Sequence, residues 1–138
     1  MASTAREIMT GGVECVREDE SVLDAAKKMR DLGVGALPIC GNDDRLKGML
    51  TDRDIVVRVL AEGLEPGGTT AGELAEGKPV TVGADDTIEV ALRTMKEHKV
   101  RRLPVIDGHE LVGMVSQADL ARNLDEERVG ELVEAIST

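Results

Sequence analysis

The sequence has no phenylalanine, tyrosine or tryptophan. A core must therefore be filled by aliphatic side chains and six methionines, and no aromatic face is available for a nucleobase to stack on. Cysteine is scarce too. Cys15 and Cys40 are too few for a disulfide scaffold, and their spacing fits no zinc signature. The plain expectation is two small buried hydrophobes; the alternative is a redox-sensitive pair on neighbouring strands, which would run against a reducing cytosol. Positive charge is outnumbered, with 17 Lys and Arg against 27 Asp and Glu and a formal net charge of −10. That argues against a nucleic-acid or anionic-membrane surface, both of which need a basic stripe, while a local arginine cluster can still hold a nucleotide. The first residues show no charged stretch leading into an apolar run, and no long apolar run follows, so a soluble, cytoplasmic protein is expected.

Catalytic patterns are missing as well. His98 follows a helix and His109 sits in a turn, with no Ser or Cys placed as a partner nucleophile. Asp43-Asp44 reads as loop solvation rather than a metal site. There is no glycine-rich phosphate loop of the Walker or dinucleotide type. No catalytic residue, metal site or required cofactor is therefore assigned, and the chain reads as a non-enzyme.

What is present is a repeat. Thr4-Ala5-Arg6-Glu7-Ile8 returns as Thr70-Ala71-Gly72-Glu73-Leu74, and Leu37-Pro38-Ile39 returns at the same offset as Leu103-Pro104-Val105. One residue is then lost in a turn, so Gly48-Met49-Leu50-Thr51-Asp52-Arg53-Asp54 answers to Gly113-Met114-Val115-Ser116-Gln117-Ala118-Asp119. The Gly- and Pro-rich stretch Glu62–Gly68 separates the copies as a linker. The linear division is 1–64 for the first unit and 65–138 for the second. At 138 residues and 41% apolar, two half-size units sharing a core are within reach.

Each copy predicts the same elements. Thr-x-x-Glu opens a short helical turn as a capping box. Val13–Val16 and Pro79–Val82 lean towards strand. Ser21 and Thr87 are N-caps for helices whose apolar faces are Val22, Ala25, Ala26 and Met29 in one copy and Ile88, Ala91, Leu92 and Met95 in the other. Gly33 closes the first helix as a left-handed cap, where Lys99 is the counterpart. Strands Val34–Cys40 and Val100–Ile106 each carry a proline, which places them at an edge or a bulge. Hairpin turns at Gly41–Arg45 and Asp107-Gly108 lead to strands Leu46–Leu50 and Leu111–Val115 and then to helices starting at Thr51 and Ser116. Val129, Leu132, Val133 and Ile136 mark a last amphipathic helix, either a lid on the core or a dimer contact. The fold class is α/β (α+β), with two strand-helix-strand-strand-helix units packed about a pseudo-twofold axis to cover their sheets.

This order, with Val34-Gly35-Ala36-Leu37-Pro38-Ile39, Val100-Arg101-Arg102-Leu103-Pro104-Val105 and the glycine-to-aspartate stretch after each, resembles the CBS domain in tandem, the Bateman module. Gly35–Gly41, Gly48–Val56 and Thr70–Ala75 look most like small stand-alone two-CBS proteins of the hypoxic response protein kind. The resemblance implies a regulatory module that holds an adenosine-type nucleotide (AMP, ADP, ATP or a related compound) in clefts between the paired units. It implies Thr51 and Asp54 in one cleft and Ser116 and Asp119 in the other, with the hydroxyl facing phosphate and the carboxylate taking the ribose hydroxyls. Gly35, Ala36, Cys15 and Val16 would frame one base, and Arg101, Arg102, Thr81 and Val82 the other. It also implies a homodimer.

Two readings stay open. Thr51-x-x-Asp54 and Ser116-x-x-Asp119 are also what a capped helix start looks like, without any ligand. The competing function is a ligand-free structural or stress-response homodimer, redox-sensitive through Cys15 and Cys40, acting on a protein partner that the sequence does not name. If nucleotide binds, the clefts should differ, because Arg101-Arg102 stands where the first copy has Gly35-Ala36.

Overall fold

The computed structural model describes residues 4–75 and 79–137, arranged as two compact units. One comprises residues 14–75 with Pro79; the other comprises residues 4–13 and 80–137. The boundary of packing is therefore not the boundary of the repeat at 64/65, and the reason is an exchange of short elements.

In the 14–79 unit, β2 (Val16–Arg17) leads to α2 (Val22–Leu32), the hairpin β3 (Ala36–Cys40) and β4 (Leu46–Thr51), and then α3 (Asp52–Asp54), which continues as a π-helical stretch over Ile55–Leu60. The sheet order is β2-β3-β4, with β2 parallel and β4 antiparallel to β3. In the other unit, α1 (Ala5–Ile8) and β1 (Thr10–Gly11) precede β5 (Val82–Gly83), α4 (Ile88–His98), β6 (Arg102–Asp107), β7 (Glu110–Ser116), α5 (Gln117–Ala121) and α6 (Glu126–Ile136). Its sheet runs β1-β7-β6-β5. The strand-helix-strand-strand-helix order thus holds in both units. The first strand of each is shorter and later than the Val13–Val16 and Pro79–Val82 runs.

The exchange is carried by backbone. The helical turn that opens the first repeat docks on the second: Ala5 and Arg6 N–H donate to Asp86 and Ala84 O at 2.9 Å each, and Thr4 bridges Thr87. The turn that opens the second repeat, a 3-10 helix over Ala71–Leu74, docks on the first. There Ala71 and Gly72 N–H donate to Glu20 and Glu18 O at 2.9 Å each, and Ser21 bridges Thr70. The linker is held the same way, since Val22 N–H donates to Thr69 O at 2.7 Å and Leu23 N–H to Pro66 O at 3.0 Å. Thr70 and Glu73 complete the capping box. Thr4 does not, because its hydroxyl donates to the Glu7 carboxylate instead of accepting the Glu7 N–H.

Two aliphatic cores result. Val16, Val22, Ala25, Met29, Leu37, Ile39, Leu50, Val59, Ala71 and Leu74 fill one. The other gathers Ile88, Ala91, Leu92, Met95, Leu103, Val105, Val115 and Leu120 with Ala5 and Ile8 from the exchanged turn and Leu132 and Ile136 from α6. Each fully buried leucine contributes about 1.5–3 kcal/mol against exposure. α6 covers its own unit, as the lid reading requires, and leaves Val133 40% exposed. The 14–79 unit has no such cover, and Val56 and Leu60 are each 56% exposed.

Two local features depart from expectation. Pro38 and Pro104 sit in central strands, not at edges. β2 pairs only with Ile39 and Cys40, and β5 only with Val105 and Ile106, so each proline lies beyond the reach of its short parallel neighbour, next to a register shift. Lys99 adopts the left-handed conformation (φ 53°) that Gly33 adopts in the first copy (φ 69°), and both N–H groups close their helices on the methionine four residues back.

The repeated glycines seat the residues that follow the exchanged turns. A Cβ on Gly113 would lie 2.6 Å from Met9 Sδ and 2.7 Å from Thr10 O; one on Gly48 would lie 3.3 Å from Ala75 Cβ. Gly113→Ala should therefore lose about 1–3 kcal/mol, and Gly48→Ala clearly less. Urea unfolding followed by far-UV circular dichroism measures both, the chain having no aromatic fluorophore. Equal losses would show that Gly113 does not seat β1.

Candidate functional site

Each β-hairpin delivers a hydroxyl residue at its last strand position and starts a helix there. In the first copy the Thr51 N–H donates to Asp54 Oδ2 at 2.9 Å and the Asp54 N–H donates to Thr51 Oγ1 at 3.1 Å. In the second, Ser116 N–H donates to Asp119 Oδ2 at 2.8 Å and Asp119 N–H to Ser116 Oγ at 3.2 Å. Both are complete capping boxes, so the structural reading of the motif holds. It does not exhaust the groups. A hydroxyl that accepts one bond keeps its proton to donate, and a carboxylate has two oxygens.

The strand registers decide which neighbours belong to each motif. Ala36 lies opposite Thr51, and Gly35 O accepts the Asp52 N–H at 2.9 Å. A Cβ on Gly35 would meet Asp52 Oδ2 at 2.9 Å, so that position is held small by the helix start. Arg102 lies opposite Ser116, and Arg101 O accepts the Gln117 N–H at 2.7 Å. Arg101 and Arg102 are exposed and carry no ion pair among the described residues. Gly35, Ala36, Thr51 and Asp54 are thus one group, and Arg101, Arg102, Ser116 and Asp119 another.

The base-framing residues are placed differently. Val16 opens the strand on the far side of β3 from β4, with Cys15 just before it, and Val16 pairs with Ile39, about 10 Å along β3 from Ala36. Val82, which opens β5, bears the same relation to β6, with Thr81 just before it. Val16 and Val82 are buried, so their side chains belong to the cores.

The cysteines correct the plain expectation. Cys15 and Cys40 are joined as a disulfide, with Cα atoms 5.8 Å apart, across the β2–β3 pair. Cys40 is buried and Cys15 half-buried. The second copy has Thr81 and Ile106 at the matching places, so the crosslink belongs to one unit only.

Asp43 and Asp44 do what a loop requires. Arg17 donates to Gly41 O at 2.9 Å and to Asp44 Oδ1 at 2.6 Å. The Arg45 N–H, aided by the Lys47 ammonium and opposed by slight desolvation, holds the Asp43 carboxyl below its ordinary range. A cavity of about 470 Å³ lined by Arg58, Leu64, Thr69 and Leu74 includes neither Thr51 nor Asp54.

One residue in the second group escaped the sequence reading. Arg122 donates to Asp119 Oδ1, the oxygen not used by the capping box. Its counterpart in the first copy is Val57. The mismatch was visible once the repeats were aligned, but it lies past the end of the motif.

A model of the CBS domain matches residues 5–61 and 71–126. The chain is 54% identical over 134 residues to hypoxic response protein 1 of Mycobacterium tuberculosis, covering 97% of this chain and 94% of that one. A crystal structure of Hypoxic Response Protein I with two coordinated zinc ions superposes with a TM-score of 0.83 at 56% identity, covering 88% of this chain and 99% of that one. The crystal structure of CBSX2 in complex with AMP superposes with a TM-score of 0.75 at 26% identity, covering 87% and 94%. As to zinc, Cys15 and Cys40 are spent on each other, and among the described residues no group of three His, Cys, Asp or Glu is placed to hold a metal. No helix is long and apolar enough to cross a membrane among those residues.

Because both boxes are complete, Thr51→Ala and Ser116→Ala should each cost about 1 kcal/mol of unfolding free energy. Urea titration of the two variants checks this. An unchanged midpoint in either would mean that the box there is not formed in solution.

Proposed function

The chain belongs to the CBS-domain family, with two CBS domains over most of its length, and from that premise we propose that it is a regulatory module for an adenosine-type nucleotide, without a catalytic role of its own. AMP, ADP and ATP are the candidate ligands. The observation that carries this reading is the duplicated hydroxyl–carboxylate pair, held rigid by its own capping bonds in both copies, with Asp54 Oδ1 left without a partner among the described residues. A fixed carboxylate takes a cis-diol through charge-assisted bonds, and Thr51 or Ser116 retains a proton for a phosphate oxygen. Arg101 and Arg102, without an ion pair among the described residues, supply positive charge on a chain of net charge −10. The AMP complex of CBSX2, a structure of the same fold, lends weight to the ligand class. Without aromatics, adenine would be held between aliphatic side chains.

Nucleotide acts here by favouring one arrangement of the protein over another, through differential affinity for the two. The protein works as a homodimer, and the exposed Val56, Val57, Leu60 and Leu64 are the apolar surface the 14–79 unit offers for it.

A second reading is favoured by the Cys15–Cys40 bond: a redox-responsive homodimer that acts through a protein partner, with the covalent state of the 14–79 unit as the signal. The two are separable. Lacking aromatic residues, the purified protein should absorb almost nothing in the adenine band, so retained nucleotide would show directly. Calorimetric titration with AMP, ADP and ATP should give saturable heat that Asp54→Ala reduces. No heat from any of them, together with no retained adenine, would defeat the nucleotide reading. For the redox reading, intact mass with and without reductant should differ by two hydrogens. An identical mass, with two thiols in the protein as isolated, would sink it.

A further inference from the structure

The two copies of the motif do not present the same carboxylate. Asp54 is half-buried, uses Oδ2 to cap its helix, and leaves Oδ1 without a partner among the described residues. Asp119 is 5% exposed and has both oxygens engaged, Oδ2 by the Ser116 N–H and Oδ1 by the Arg122 guanidinium. Arg122 is itself 67% exposed, so its head lies over the carboxylate at the surface. The repeat supplies the control. At the matching place the first copy has Val57, which cannot pair with Asp54, and the next residue, Arg58, is turned away to donate to Leu74 O at 2.8 Å. Asn123, the counterpart of Arg58, instead donates to Asp119 O at 2.8 Å and helps fasten that turn.

On the nucleotide reading above, we propose that Arg122 closes the second motif, so that the chain takes one adenosine-type nucleotide, at Thr51 and Asp54. A ribose diol is a neutral donor pair. To reach Asp119 it must displace a guanidinium from a carboxylate, exchanging a contact charged on both sides for bonds in which only the acceptor is charged. At Asp54 nothing has to be displaced.

Calorimetric titration of the full chain with AMP, then ADP and ATP, tests this by stoichiometry. The wild type should bind one nucleotide per chain, Arg122→Gln two, Asp54→Asn none, and the double variant one. Far-UV circular dichroism melts confirm that each is folded. Two sites in the wild type, or one still in Arg122→Gln, would overturn closure by Arg122 and leave the nucleotide reading standing. No binding to either the wild type or Arg122→Gln would overturn the nucleotide reading itself. If Asp54→Asn proves unfolded, the wild-type and Arg122→Gln stoichiometries decide the matter on their own.

Discussion

Everything in this structure hangs on four backbone hydrogen bonds that cross the repeat. Ala5 and Arg6 reach the 84–86 turn, and Ala71 and Gly72 reach the 18–20 turn. Each turn carries two apolar side chains into a core that is not its own repeat's: Ala5 and Ile8 into one, Ala71 and Leu74 into the other. The repeated glycines follow from this. Gly48 and Gly113 stand where the residue after an exchanged turn crosses the sheet, Ala75 in one unit and Met9 in the other. The glycine at the head of the motif is thus a packing device, while the hydroxyl and the carboxylate at its tail hold the next helix.

That division of labour explains how one short stretch serves structure and site together. The capping box needs one carboxylate oxygen and the hydroxyl's lone pair, and it immobilises both side chains. Immobilised groups are those a ligand can meet without a further loss of side-chain entropy. The copies then diverge just outside the box. One acquires a crosslink between its parallel strands and an exposed valine; the other acquires paired arginines, a guanidinium on the carboxylate and a covering helix. Duplication preserved the device and left its surroundings free to change.

Much of this was legible in the residues. The repeat, the order of elements, the N-caps at Ser21 and Thr87, and the left-handed end at Gly33 all follow from local rules acting over one or two turns, whereas Lys99 takes the left-handed conformation against the preference of its side chain. What was not legible depends on partners far along the chain. The exchange is invisible because Thr-x-x-Glu states that a turn begins and says nothing about which sheet receives it. Pro38 and Pro104 look like edge residues until the parallel neighbour proves two residues long. Cys15 and Cys40 carry no spacing rule, since their pairing depends on β2 being laid beside β3. Of the residues named for a ligand, Ala36 lies opposite Thr51 on the hairpin that leads to Asp54, whereas Val16 and Val82 are buried in the two cores, a placement that depends on the whole fold. Arg122 was hidden only by attention to what the copies share.

The exchanged turns also bear on how such a chain could have arisen. A single repeat, with its opening turn pointing outward and its own docking edge at residues 18–21 empty, is an incomplete fold. It becomes complete by lending its turn to another copy and borrowing one in return. Two repeats on separate chains would have to trade these turns between molecules, and a linker such as Glu62–Gly68 keeps the trade within one chain. Held in one chain, the borrowed turn is always at hand, and the two halves need not carry the same residues.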